Sequence, residues 1–186
     1  MKDCGFATNA KKKGSDLVFN IGDRIVYGSE GVFTVTEYTS SPIDKNDTRQ
    51  FYVLRPVHGP VGNVIITPVG NDKVKMRAVM SREEALDFID KIPSIPTLTV
   101  EREKNRREVY RQALANASCE ELVSIVKTVM ARREEMLKAK KRLSESDNDY
   151  EKKAKFCLGG ELAISLGIPF DKVDSFIEER LNSIIY

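Results

Sequence analysis

The side chains best equipped for chemistry are basic, and they crowd one stretch. From Arg102 to Arg142 there are twelve Lys/Arg against six Asp/Glu, a local charge of +6, whereas the 186-residue chain carries only +2. Arg102, Arg106, Arg107 and Arg111 come first; Arg132 and Arg133 follow, then Lys138, Lys140, Lys141 and Arg142. Lys152, Lys153 and Lys155 form a third set. Groups spaced this way neutralise phosphates, a salt-sensitive contact that carries no base-sequence information. The same charges also suit a solvated helix face with pairs such as Glu103–Arg107. From Leu143 to Tyr186 the balance reverses, five cations against nine anions, so the positive field is confined.

Materials for catalysis are sparse. The one histidine, His58, sits in a turn between Val57 and Gly59. No G-x-S-x-G, Walker loop or dinucleotide fingerprint occurs, and the carboxylates fall mostly on helix surfaces. Cys4, Cys119 and Cys157 are widely spaced, without a CxxC or a His/Cys cluster. No metal and no cofactor are therefore expected, and the thiols read as reduced in a cytoplasmic protein. These features point away from an enzyme. No apolar run approaches a membrane span.

The elements that must position the basic groups differ between the two halves. Residues 1–15 lack a signal-peptide apolar core and read as a disordered tail. From Leu17 to about Met80 the pattern is β. Arg24–Tyr27, Val32–Tyr38, Gln50–Arg55, Asn63–Pro68 and Lys75–Val79 are short runs rich in β-branched and aromatic residues, separated by Gly/Pro/Asp/Asn turns. Such spacing predicts a small antiparallel barrel. Tyr27, Phe33, Tyr38, Phe51 and Tyr52 would fill its core; were they exposed, they could stack on bases of RNA instead. An open edge strand would offer main-chain pairing to another protein, with residues 50–55 and 63–67 as candidates.

Ser81–Glu84 is a capping box for a short helix, and the prolines of Ile92–Pro96 mark a domain boundary. The chain thus divides into a β-module over 16–92 and a helical module over 97–186. The first helix of the helical module is predicted over Val100–Asn116. A second begins at the Ser118–Glu121 box, with Leu122, Ile125, Val126, Val129 and Met130 in helical period. Residues 144–149 read as a polar break before a third helix over Tyr150–Leu166. Gly167 would end that helix and Pro169 would start the fourth.

The sequence Ile21-Gly22-Asp23-Arg24-Ile25-Val26-Tyr27, followed by Gly31 and a β-run, resembles the N-terminal signature of CarD-like (CdnL) bacterial transcription regulators. The same module occurs in the polymerase-interacting domain of the transcription-repair coupling factor. Phe51–Arg55 and Val64–Val69 are similar to its later strands. Arg106-Arg107, Tyr110, Ala131-Arg132-Arg133, Lys153-Ala154-Lys155 and Gly160–Ala163 resemble the helical half, so the likeness spans about residues 17–166.

This resemblance implies an α+β protein, with an N-terminal Tudor-like barrel and a C-terminal all-α domain. It implies a non-enzymatic, cytoplasmic regulator without membrane contact, expected as a monomer. The β-module would bind the RNA polymerase β subunit through Phe51, Tyr52, Val53, Leu54, Arg55, Val64, Ile65 and Ile66. The helical module would contact promoter DNA, by backbone or minor groove, through Arg102, Arg106, Arg107, Arg111, Arg132, Arg133 and Lys153. Many members place a tryptophan on the first helix of that module as a minor-groove wedge. This chain has none, and Arg106 stands near that position. The alternative is an adaptor on RNA polymerase that makes no DNA contact.

Overall fold

The computed structural model describes residues 11–13, 16–43, 46–60 and 62–185. Of the tail expected over residues 1–15, only Lys11–Lys13 lies within the described residues. It forms strand β1, paired antiparallel with β2 (Asp16–Val18). The residues group into two units: one holds the chain up to Tyr27 with Val32–Val79, the other Gly28–Gly31 with Met80 onward.

The first unit is built around a tight turn. Asn20 N–H donates to Asp23 Oδ2 at 2.8 Å, and Asp23 N–H returns to the Asn20 carbonyl at 3.0 Å. Gly22 takes φ +94°, a conformation that costs a residue without Cβ little. Its N–H donates to the Val35 carbonyl at 2.7 Å, which starts the hairpin of β3 (Arg24–Tyr27) and β4 (Val32–Thr39). Strands β5 (Phe51–Pro56), β6 (Ile65–Pro68) and β7 (Met76–Ala78) complete an antiparallel sheet in the order β6-β5-β4-β3-β7.

That order corrects the predicted barrel. Among the described residues the sheet is open: β6 pairs only with β5 and β7 only with β3. A bulge between Val35 and Glu37 shifts the β4–β5 register. One bulge and end strands of three and four residues do not carry the sheet round to closure. The Tudor-like barrel is therefore absent, although the strands themselves fall where the turn residues placed them.

The aromatics are core. Phe19, Ile25, Tyr27, Phe33, Val35, Tyr52 and Leu54 form one buried cluster, with Tyr38 packed against it. Two phenols hold the entering chain: Phe19 N–H donates to Tyr52 Oη at 2.9 Å, and Tyr38 Oη donates to the Phe19 carbonyl at 2.6 Å. Tyr27 and Tyr52 are buried, so neither ring offers a platform for base stacking on RNA.

The second unit is helical: α1 (Arg82–Lys91), α2 (Arg106–Asn116), α3 (Cys119–Lys138), α4 (Glu145–Leu166) and α5 (Val173–Ile185). The Ser81 box forms as expected: Glu84 N–H donates to Ser81 Oγ, and Ser81 N–H donates to Glu84 Oε2. Ala85 and Ile89 of α1 belong to the same buried cluster as Tyr110, Leu122, Ile125, Val129, Leu158 and Leu162. The division thus falls at Val79/Met80, ahead of the prolines. Ile92–Ser94 is a 3-10 turn fixed by Lys127. The Lys127 ammonium donates to the carbonyls of Ile92 (2.6 Å), Pro93 (3.0 Å) and Ile95 (2.6 Å). Gly167, at φ +68°, ends α4 where expected. Among the described residues no helix is long and apolar enough to cross a membrane.

Candidate functional site

Two sets of residues were expected to meet partners, and the fold treats them differently. The first is the sheet edge. Strand β5 is interior, bonded on both sides, and its Phe51, Tyr52, Val53 and Leu54 are buried; only Arg55 is exposed. Main-chain pairing with another protein is therefore closed to β5. It is open at β6, the end strand.

The register shows which groups β6 presents. Val69 N–H donates to the Gln50 carbonyl at 2.9 Å, so the pair 50/69 is a hydrogen-bonded one. Bonded and non-bonded pairs alternate along an antiparallel ladder. Pairs Tyr52/Thr67 and Leu54/Ile65 are then the bonded ones, and Val53/Ile66 and Phe51/Pro68 are not. The N–H and C=O of Ile66 consequently face away from β5. Pro68 shares that outward row, where a missing N–H breaks no ladder bond. The N–H of Val64 is already given to the Gly62 carbonyl at 2.9 Å, so Ile66 supplies the free donor. The side chains of Val64 and Ile66 are 41% and 43% exposed, whereas Thr67 is buried. An extended partner would find a donor, an acceptor and two β-branched side chains here.

The second set is the basic one. Sequence spacing put Arg106 at the DNA, but its side chain is only 11% exposed. Its Nε donates to Asp147 Oδ1 at 2.8 Å, and its Nη1 donates to Glu103. Asp147, 1% exposed, also faces Arg132, whose Nε lies 3.3 Å from Oδ2. Arg132 donates its two terminal nitrogens to Glu103 as well. Two arginines and two carboxylates thus close a network joining the start of α2 to α3 and α4. Tyr110 is buried beside it, and burial pushes its phenol up, with Asp147 adding to the effect against Arg106 and Arg132.

The neighbouring cations are similarly occupied. Arg133 pairs with Glu151, and that hydrogen bond raises the guanidinium further. Burial alone would lift the Glu151 carboxyl, but Arg133 and Lys155 outweigh it and hold Glu151 below the usual carboxylate range. Arg111 pairs with Glu108 at 2.6 Å and Lys153 with Glu30 at 3.1 Å. Of the seven expected DNA contacts only Arg102 and Arg107 have no carboxylate partner among the described residues. Arg107 lines a cleft of about 350 Å³ with Glu145, Ser146, Asp149, Tyr150 and Lys153, a mixed rather than uniformly positive lining.

Sequence reasoning missed the acidic half of this network. Residues 144–149 read as a break, yet α4 begins there: Asp147 N–H donates to Ser144 Oγ at 3.1 Å, and Ser144 Oγ donates to Asp147 Oδ2 at 2.7 Å. The Ser-x-x-Asp spacing is the signal that would have found it. Helix α2 conversely starts later than predicted. Leu98 N–H is held by Thr128 Oγ1 at 2.8 Å, and Arg102 is extended (φ −135°, ψ 131°) before a 3-10 turn at Glu103–Asn105. Glu161 of α4 is buried; it accepts from Met80 N–H (3.2 Å) and from the Cys119 thiol (3.2 Å). Among the described residues no group of three His, Cys, Asp or Glu could hold a metal ion.

Comparison with known proteins adds no identity: no family model matches the chain, and no curated protein matches it. The CarD-like resemblance gains no support from either comparison, and the barrel it implied is replaced by an open sheet. What stands is an open antiparallel sheet and a helical unit.

Proposed function

We propose that this chain is a non-enzymatic regulator of transcription whose β6 edge pairs with a strand of the RNA polymerase β subunit, and whose helical unit contacts promoter DNA. A cytoplasmic site of action belongs to the same proposal. The observation that carries it is Ile66, with its donor and acceptor turned outward on an open edge and its side chain exposed. Edge strands left unprotected are templates for added strands. The short motifs noted in the sequence supply the identity of the partner.

The test is Ile66→Pro in the full chain. Proline removes the outward N–H while sparing the Leu54/Ile65 and Tyr52/Thr67 bonds. Binding to purified β subunit should fall at least tenfold while the far-UV spectrum stays unchanged. Undiminished binding would rule out edge pairing.

A second reading is favoured by the ion pairs around Arg106, Arg132 and Arg133: an adaptor on polymerase with no DNA contact. Salt distinguishes the two. Phosphate contact makes affinity for duplex DNA fall steeply with salt; an adaptor shows no such affinity.

A further inference from the structure

We propose that the DNA-facing surface of the helical unit is the C-terminal end of α3, formed by Lys138, Lys140, Lys141 and Arg142, rather than the arginines that sequence spacing selects. This rests on the reading that the helical unit touches DNA and assigns that contact to a different place.

Three observations converge there. All four side chains are exposed, and none has a carboxylate partner among the described residues. Of the other cations on α3 and α4, Arg132, Arg133, Lys153 and Lys155 are drawn into ion pairs and Lys127 bonds to backbone carbonyls; Lys152 alone is also unpaired among the described residues, so the unpaired charge on these helices is densest at this turn. The backbone is also fixed. Lys140 sits at φ +54°, with its N–H donating to the Leu137 carbonyl at 3.0 Å, and Lys141 N–H donates to the Met136 carbonyl at 2.8 Å. Glycine is the residue that favours such a left-handed cap, yet a lysine occupies it.

The helix dipole explains Lys138 in the last turn, but its influence fades beyond that turn. Lys140, Lys141 and Arg142 lie past the helix end and add mutual repulsion. A polyanion relieves that repulsion. A duplex backbone fits better than a lipid surface, because the one strongly exposed apolar side chain at this end is Leu137 (68% exposed), and a membrane-lying element needs a broad apolar face. The contact would track phosphates without reading bases.

The experiment measures the affinity of the full chain for a mixed-sequence duplex by fluorescence anisotropy between 50 and 200 mM salt. Four phosphate contacts correspond to a log–log slope of about −3.6, a loss of roughly 150-fold across that range. The variant Lys138→Glu/Lys140→Glu/Lys141→Glu should abolish binding at the low-salt end. The milder Lys138→Gln/Lys141→Gln should flatten the slope by about 2, with an unchanged melting curve. If the triple variant binds normally while Arg102→Glu/Arg107→Glu does not, this surface is wrong and the DNA reading stands. If the wild type binds no duplex even at the low-salt end, the DNA reading fails and takes this surface with it. Binding to phosphatidylserine vesicles but not to duplex likewise overturns it.

Discussion

Arg106 Nε lies 2.8 Å from Oδ1 of Asp147, a carboxylate that solvent scarcely reaches. This contact decides how the basic helices should be read. Arg106 is part of the fold, and charge reversal there would test stability rather than DNA contact. Asp147→Asn strips the charge that two largely buried arginines face. Breaking a buried pair on one side costs about 3 kcal/mol. The melting temperature of the helical unit should fall by more than about 10 °C. A loss below about 1 kcal/mol in urea unfolding would mean that the network contributes little.

The sheet has its own single-atom test. Tyr52→Phe removes the oxygen that accepts from Phe19 N–H and keeps the ring. A buried donor left without a partner costs about 1–2 kcal/mol. Tyr38→Phe, which frees the Phe19 carbonyl instead, should cost less, because a carbonyl tolerates a lost partner better. Equilibrium unfolding of the two variants gives the comparison.

Acid should weaken the helical unit through Glu151. Its folded value is depressed, so its pairing with Arg133 and Lys155 stabilises above the ordinary carboxylate pKa near 4.5 and is lost as pH falls through the lower folded value. Urea midpoints measured at pH 7 and pH 3 should drop for the wild type. The drop should shrink in Glu151→Gln, which has no such carboxylate to protonate.

Alkali probes Cys157. Burial pushes this thiol up to about 11, and its S–H donates to the Ser29 carbonyl at 3.2 Å. The folded form keeps its proton where the unfolded form, near 9, loses it. Its contribution to stability is therefore complete below pH 9 and declines as pH rises towards 11. Alkylation at pH 8, followed on the peptide holding Cys157, should be slow in the native protein and fast in urea.

The division between what the sequence disclosed and what it concealed follows physical lines. Local signals worked: Gly22, Pro68, the Ser81 box and Gly167 each act over a few residues, and each sits where its chemistry requires. Closure of the sheet is a long-range matter. It depends on whether β6 and β7 reach one another, which no local pattern encodes. The basic residues were misjudged for the same reason. Arg106 and Asp147 are forty-one residues apart, so the pairing that removes Arg106 from the surface is invisible to helical spacing. Asn63–Pro68 is legible as a strand, but its place at the end of the sheet is not.

The most direct measurement is amide hydrogen exchange at Ile66, in the full chain, with and without saturating RNA polymerase β subunit. Free, this outward N–H should exchange quickly beside the slower bonded amides of Ile65 and Thr67. In the complex its exchange should slow at least a hundredfold. A complex that forms with Ile66 exchanging as fast as before would contradict edge pairing, and absence of any complex would contradict the function proposed.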